Sequence, residues 1–313
     1  MFGAFEIGGI KTKAIMLFAS ALIRHRPRST GSTCLSSRLL SSYGNWVPSD
    51  EKYDDRGGLA VFGSYAKSYD KIRPFYPKEL WADALARGDT KNMPVRRAVD
   101  VACGTGRGAH ALKRAGVDDV IAVDLDSGML EEIGEGIATI QASADDMPAI
   151  GDGTVDVVTC LQAFHWLDAK KTLDEFDRIL RSPDGRAVIA WNDRDLEDDF
   201  VDAWETLVET YNPKYNRELK QAEKYIPSME HGSFPVMTQR NYVNEQMLTA
   251  DDFVEQMFTF SYVKNVLNES EQVKIERETR ELVKNHFGLE GSEGRFVLSW
   301  STKAFFLDRV GRI

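Results

Sequence analysis

One stretch, Ala98-Val99-Asp100-Val101-Ala102-Cys103-Gly104-Thr105-Gly106-Arg107-Gly108-Ala109, constrains the fold more than any other in this chain. Ala98–Ala102 reads as an apolar strand, a glycine loop follows, and a helical pattern runs on through Arg114. A strand that turns through glycines into a helix lets the backbone approach a ligand and aims the helix N-terminus at it.

Strand and helix signals then alternate. Val120–Val123 is a second strand, followed by a helix from near Ser127, and a short strand covers Ile137–Gln141. Val155–Cys160 is a β-branched strand, and Lys170–Arg181 places Leu173, Phe176, Ile179 and Leu180 on one helical face. Pro183-Asp184-Gly185 is a turn before a buried strand, Ala187–Trp191. Such alternation predicts parallel strands joined by crossover helices, a doubly wound α/β sheet. Upstream, helices are expected at Phe62–Tyr69 and Lys78–Ala86, separated by Arg73-Pro74-Phe75-Tyr76-Pro77, where the prolines interrupt helix. After Asn192 the texture changes to charge-rich helical patterns with interleaved aromatics, and Arg295–Leu307 reads as a last strand. The expected organisation is an N-terminal arm at 1–45, a ligand-binding core with an N-terminal lid at 46–192, a mostly helical cap at 193–285 and a strand completing the sheet at 286–313.

The arm differs in charge. Residues 1–40 hold six Lys or Arg against the single acid Glu6, while the other residues carry a net charge of −15. A body that acidic repels phosphate backbones, which argues against a nucleic-acid partner. The basic, Ser/Thr-rich arm has the composition of a transit peptide, with Arg38-Leu39-Leu40 resembling a mitochondrial processing site; a mitochondrial matrix address is expected, with plastid or cytoplasm as alternatives. Its apolar patch, Ala14–Ile23, is too short to span a bilayer, so no stable membrane insertion is expected. Three scattered cysteines fit neither a disulfide scaffold nor a metal site.

The glycine loop admits two ligands. Gly104, Gly106 and Ala109 satisfy G-x-G-x-x-A, and Asp124 follows Gly104 by 20 residues at the end of the second strand, which fits a dinucleotide and an NAD-dependent oxidoreductase. Asp100, just ahead of the glycines, tips the balance. A carboxylate there opposes a pyrophosphate but suits S-adenosylmethionine, which has no phosphate and carries an amino group and a sulfonium.

Further segments fall in order. Val123-Asp124-Leu125-Asp126, Ala144-Asp145-Asp146-Met147-Pro148, Asp152-Gly153-Thr154-Val155-Asp156, Gln162-Ala163-Phe164-His165-Trp166 and Arg178-Ile179-Leu180-Arg181 resemble the successive motifs of the type 11 class I S-adenosylmethionine-dependent methyltransferases. Tyr69-Asp70-Lys71-Ile72-Arg73-Pro74-Phe75-Tyr76-Pro77 and Ser299-Trp300-Ser301-Thr302-Lys303 are similar to the trans-aconitate methyltransferase branch. The resemblance is strong over 62–192 and absent over 1–50. It implies a Rossmann-like, doubly wound, seven-stranded, mostly parallel sheet with a helical cap insertion. Ala102 stands where the family pattern has its first glycine.

On this resemblance Asp100 orients the methionine amino group, directly or through water. Ala102, Gly104 and Gly106 shape the loop, and Asp124 holds the ribose while Leu125 packs on the adenine. Ala144 and Asp145 flank the adenine amine, Gln162 the methionine end, and Tyr69 comes from the lid. Arg73 and Trp166 are candidate substrate contacts, and His165 a candidate general base for a hydroxyl or amine acceptor. Plainer roles stand beside these: Asp124 as a helix cap, Asp145 as a solvated loop acid, Gln162 as a loop residue, His165-Trp166 as pocket floor, and Arg73 in a structural salt bridge. The acceptor is expected to be a small molecule, a carboxylate being one candidate and a quinone ring another; no metal is expected.

Overall fold

The computed structural model describes residues 72–86, 94–218, 221–289 and 293–309. The expected helix at 62–69, Tyr69 itself and the arm at 1–45 lie outside the described residues. The elements in chain order are α1 (Lys78–Leu85), β1 (Arg97–Val101), α2 (Arg107–Arg114), β2 (Asp119–Asp124), α3 (Ser127–Glu131), β3 (Ala138–Gln141), β4 (Val157–Leu161), α4 (Ala169–Ile179), β5 (Arg186–Arg194), α5 (Asp199–Tyr211), β6 (Val236–Thr249), α6 (Ala250–Met257), α7 (Ser261–Lys264), α8 (Glu269–Phe287) and β7 (Arg295–Asp308). Short 3-10 helices cover Phe164–Trp166 and Ala222–Met229.

One seven-stranded sheet, ordered β3-β2-β1-β4-β5-β7-β6, organises the molecule. β1 to β5 run parallel, and β7 lies antiparallel between β5 and β6. The parallel strands carry side chains such as Val99, Val101, Val158 and Ile189 on one face and Ala98, Ala122, Val157 and Val188 on the other, all buried. The first face packs on Leu173, Phe176 and Ile179 of α4, the second on Leu80, Trp81 and Ala84 of α1 and Leu112 of α2. Burial on both faces is what near-continuous apolar strands require.

β7 serves two cores. Phe305 and Phe306 lie against the sheet's helices, whereas Phe296, Leu298 and Trp300 pack with Phe200, Trp204, Phe253 and Met257 of the cap. The cap is anchored at the end of β5, where the buried Arg194 pairs with Glu205, donates to Tyr215 Oη at 2.8 Å and lies 5.0 Å from the Trp204 ring centroid.

The span 193–285, expected as a mostly helical cap, is helical for the greater part but also contributes to the sheet. β5 runs on to Arg194, and the 14-residue β6 inside that span is the sheet's seventh strand. β6 lacks an apolar run because its side chains bond rather than pack: Arg240 and Tyr242 both meet Asp83, at 2.5 and 2.7 Å, and Gln246 holds Trp300 Nε1 at 3.2 Å. The fourth strand starts at Val157 rather than Val155, which makes only an isolated bridge to Leu180. No helix among the described residues is long and apolar enough to cross a membrane.

Candidate cofactor and acceptor site

The carboxyl ends of β1, β2 and β4 open side by side, where doubly wound sheets bind ligands. After β1 the backbone enters the left-handed region at Ala102 (φ 52°), Gly104 (54°) and Gly106 (81°). A β-carbon on Gly104 would meet nothing within 4 Å, so this residue bares its backbone to the crevice. On Gly106 it would press Ile133 at 2.9 Å, so that glycine serves packing instead.

Asp124 ends β2 and faces the loop. Its Oδ2 accepts from Gly104 N at 2.8 Å and its Oδ1 from Asp126 N at 2.9 Å; partial burial nonetheless raises its pKa. Both oxygens are fixed by backbone donors, which holds the carboxylate beside the loop. Capping of the next helix belongs to Asp126, whose side chain accepts from Gly128 N. Leu125 is 49% exposed at this rim, an apolar surface for a purine. Ala144 is buried, and Asp145 accepts a short hydrogen bond from Ser143 Oγ, which orients it on the loop after β3. Gln162, at the tip of β4, has φ 56°; its Oε1 accepts from Asn192 N at 2.8 Å, joining the ends of β4 and β5.

Asp100, expected to orient the methionine amino group directly or through water, points into the fold. It is 1% exposed, and its oxygens accept from Ala109 N at 2.8 Å and Thr159 Oγ1 at 2.6 Å. Burial pushes its pKa up to about 7 against those two donors. Turned inward, Asp100 fastens the loop to α2 and to β4. The neighbouring thiols of Cys103 and Cys160 are pushed up by burial and by Asp100 and Asp124, which keeps both protonated.

His165, the candidate base, sits beside Trp191. Trp191 Nε1 donates to His165 Nδ1 at 3.1 Å. An indole nitrogen can only donate, so Nδ1 presents its lone pair and the neutral ring carries its proton on Nε2. In that arrangement the Nδ1 lone pair is engaged by Trp191 and Nε2–H faces the other way as a donor. The ring packs into an aromatic wall with Trp166 (centroids 4.7 Å), Tyr225 (5.6 Å) and Trp191, which stacks on Tyr225 at 5.4 Å. Trp166 is 50% exposed at the edge of that wall.

Arg73 reaches the cap. Its guanidinium lies 4.3 Å from the Phe260 ring centroid and donates to Thr259 O at 3.1 Å, so the cap engages part of it. It lines a cavity of about 350 Å³ with Phe75, Asn244, Met247 and Asp252. Two contributors were missed in the sequence. Gly108 packs directly under Asp100, and Arg107 reaches back to the backbone carbonyls of Arg73 and Pro74. The third alternate glycine was the available signal for the first; nothing local marked the second.

Residues 99–189 match the family described as "Methyltransferase domain". An uncharacterized methyltransferase of Mycobacterium tuberculosis is 34% identical over 139 residues, 43% of this chain and 53% of the relative. The chain thus spans about half the length of that curated relative. An uncharacterized methyltransferase of Schizosaccharomyces pombe is 25% identical over 229 residues, 72% of this chain and 87% of the relative. A solved structure from Anaeromyxobacter dehalogenans, described as a type II methyltransferase, shares the fold with a TM-score of 0.61 at 18% identity, covering 77% of this chain and 99% of its own. The antiparallel β7 between β5 and β6 also departs from the 3-2-1-4-5-6 order of dinucleotide folds, so the oxidoreductase reading is not favoured. Residues 99–189 thus match a methyltransferase domain, and the chain shares the fold of the Anaeromyxobacter dehalogenans methyltransferase structure.

Proposed function

We propose that this protein transfers a methyl group from S-adenosylmethionine to a small-molecule acceptor by in-line displacement. The carrying observation is the bare backbone of Gly104 beside the fixed carboxylate of Asp124, with Leu125 exposed at the same rim. S-adenosylmethionine supplies the activated methyl on its sulfonium, which leaves the chain to bind, orient and exclude water. Asp124 receives the ribose, Leu125 and Ala144 the adenine with Asp145 at its amine, and Gln162 the methionine end. Calorimetry with S-adenosylhomocysteine and with NAD tests the reading, and binding of NAD alone overturns it.

The acceptor is a carboxylate in the reading we favour. The resemblance to the trans-aconitate branch supports it, and so does His165, because a carboxylate oxygen is a ready nucleophile and needs no base. Arg73 lines the cavity from which its guanidinium could be shared with an acid. The aromatic wall of His165, Trp166, Trp191 and Tyr225 favours a second reading, a planar ring such as a quinone. Mass spectrometry of a metabolite extract incubated with the protein and methyl-labelled S-adenosylmethionine separates the two: a labelled ester marks the first, a labelled ring ether or ring methyl the second. The basic composition of 1–45 supports a mitochondrial address, which an organelle import assay tests.

A further inference from the structure

We propose that Arg107 is a positioning residue for cofactor capture: it locks residues 72–75 onto the glycine loop, so that strap and loop close on the methyl donor as one unit. This rests on the S-adenosylmethionine reading above. The strap is held in an unusual way. Four consecutive carbonyls are taken by side chains, none of which belongs to the strap. Ile72 O accepts from Gln246 at 2.7 Å and from Gln256, and Arg73 O from Arg107 Nη1 at 2.8 Å. Pro74 O accepts from Arg107 and from Asn192 Nδ2, each at 3.4 Å, and Phe75 O from Asn244 at 2.5 Å. Backbone seated by side chains on α2, β5, β6 and α6 keeps its place only while those elements keep theirs.

Arg107 alone among these donors stands on the glycine loop, next to Gly106 and at the first position of α2. Its guanidinium bridges two carbonyls and lies 3.9 Å from the Phe75 ring centroid. One nitrogen, Nη1, reaches both carbonyls while the guanidinium lies over the ring, a stacking contact that suits arginine better than lysine. A second tie runs through Asn192, whose side chain holds Pro74 O and whose backbone N–H holds Gln162 at the tip of β4. Movement of the loop or of the β4 tip is thereby transmitted to the strap, and the strap's seat in turn restrains the loop. Gln256 and the Arg73 guanidinium extend the restraint into the cap.

Calorimetry with S-adenosylhomocysteine on the full chain, for wild type, Arg107→Ala, Arg107→Lys, Asn244→Ala and the Arg107→Ala/Asn244→Ala double variant, tests this. Arg107→Ala is expected to weaken binding about tenfold, with Arg107→Lys in between. Asn244→Ala, which releases the strap's far end and the contact to Asn192 Oδ1, is expected to weaken binding as well. The double variant is expected to be no weaker than the poorer single variant, since both release one strap. In each case KM for S-adenosylmethionine should rise by more than kcat falls. The inference is overturned if Arg107→Ala and Arg107→Lys bind within about twofold of wild type, or if the double loss equals the product of the single losses. A wild type that binds no S-adenosylhomocysteine overturns the methyltransferase reading and this inference with it; wild-type binding with unaffected variants overturns the positioning role alone.

Discussion

A β-carbon on Gly108 would stand 2.5 and 2.6 Å from the two carboxylate oxygens of Asp100, with Leu161 Cδ1 at 2.7 Å on its other side. The third glycine of the loop therefore admits the buried carboxylate that fastens β1 to α2 through Ala109 N. Gly108→Ala should destabilise the fold by about 2 kcal/mol through overpacking and should lower S-adenosylhomocysteine affinity, because the loop cannot keep its shape. Urea denaturation checks the first effect and calorimetry the second. A variant with wild-type stability would mean that α2 can shift without disturbing the loop.

Ala102 carries the opposite prediction. It holds φ 52° with a β-carbon, where L-residues other than glycine are strained. Ala102→Gly relieves that strain, against the larger unfolded-state entropy of glycine, and should raise stability by roughly 0.5 kcal/mol. A rise in the denaturant midpoint at unchanged slope is the expected signature. A fall would show that the methyl group contributes more by packing than its backbone costs.

The parallel half of the sheet was legible because buried strands and an amphipathic α4 leave strong periodic signals, as Val157–Leu161 and the Leu173, Phe176 and Ile179 face do. β6 was not, because an edge strand whose side chains join amide and ion-pair networks has neither an apolar run nor clean alternation. Within the site, Asp124, Leu125 and Gln162 stand at strand tips where the motif order put them. The inward turn of Asp100 depends on Thr159, 59 residues away, and the tautomer of His165 on Trp191, 26 residues away. Such pairings arise only when distant strands meet, and local pattern carries no trace of them.

Asp100 should also leave a mark on the pH dependence of stability. Its folded-state pKa, about 7, exceeds the ordinary 3.8, so between the two the folded chain binds more protons than the unfolded one. Stability attributable to this group is therefore highest at low pH, falls as pH rises between those values and is level above them. Burial raises Asp193 to about 6, which acts in the same sense. Asp100→Asn keeps an acceptor for Ala109 N and can donate to Thr159 Oγ1. It should be more stable than wild type at about pH 8 and gain less at about pH 5. Guanidinium denaturation at both values decides the matter, and equal differences at the two would refute the assignment.

The bond from Trp191 Nε1 to His165 Nδ1 makes a prediction about catalysis. If His165 were a general base, its removal would cost roughly 10²–10⁴ in kcat. Held as an Nε2–H donor instead, it contributes a hydrogen bond and a wall for the acceptor. His165→Asn should therefore lower kcat on an acidic acceptor by less than about tenfold. Trp191→Phe removes the donor to Nδ1 while keeping an aromatic ring against Tyr225. The imidazole is then free to exchange tautomers, and kcat should become more sensitive to pH than in wild type. Steady-state rates for both variants between about pH 5 and 9 provide the measurement. A wild-type profile already as sensitive to pH, together with a collapse of His165→Asn, would return the histidine to the role of base and would shift the acceptor from a carboxylate to a hydroxyl or amine.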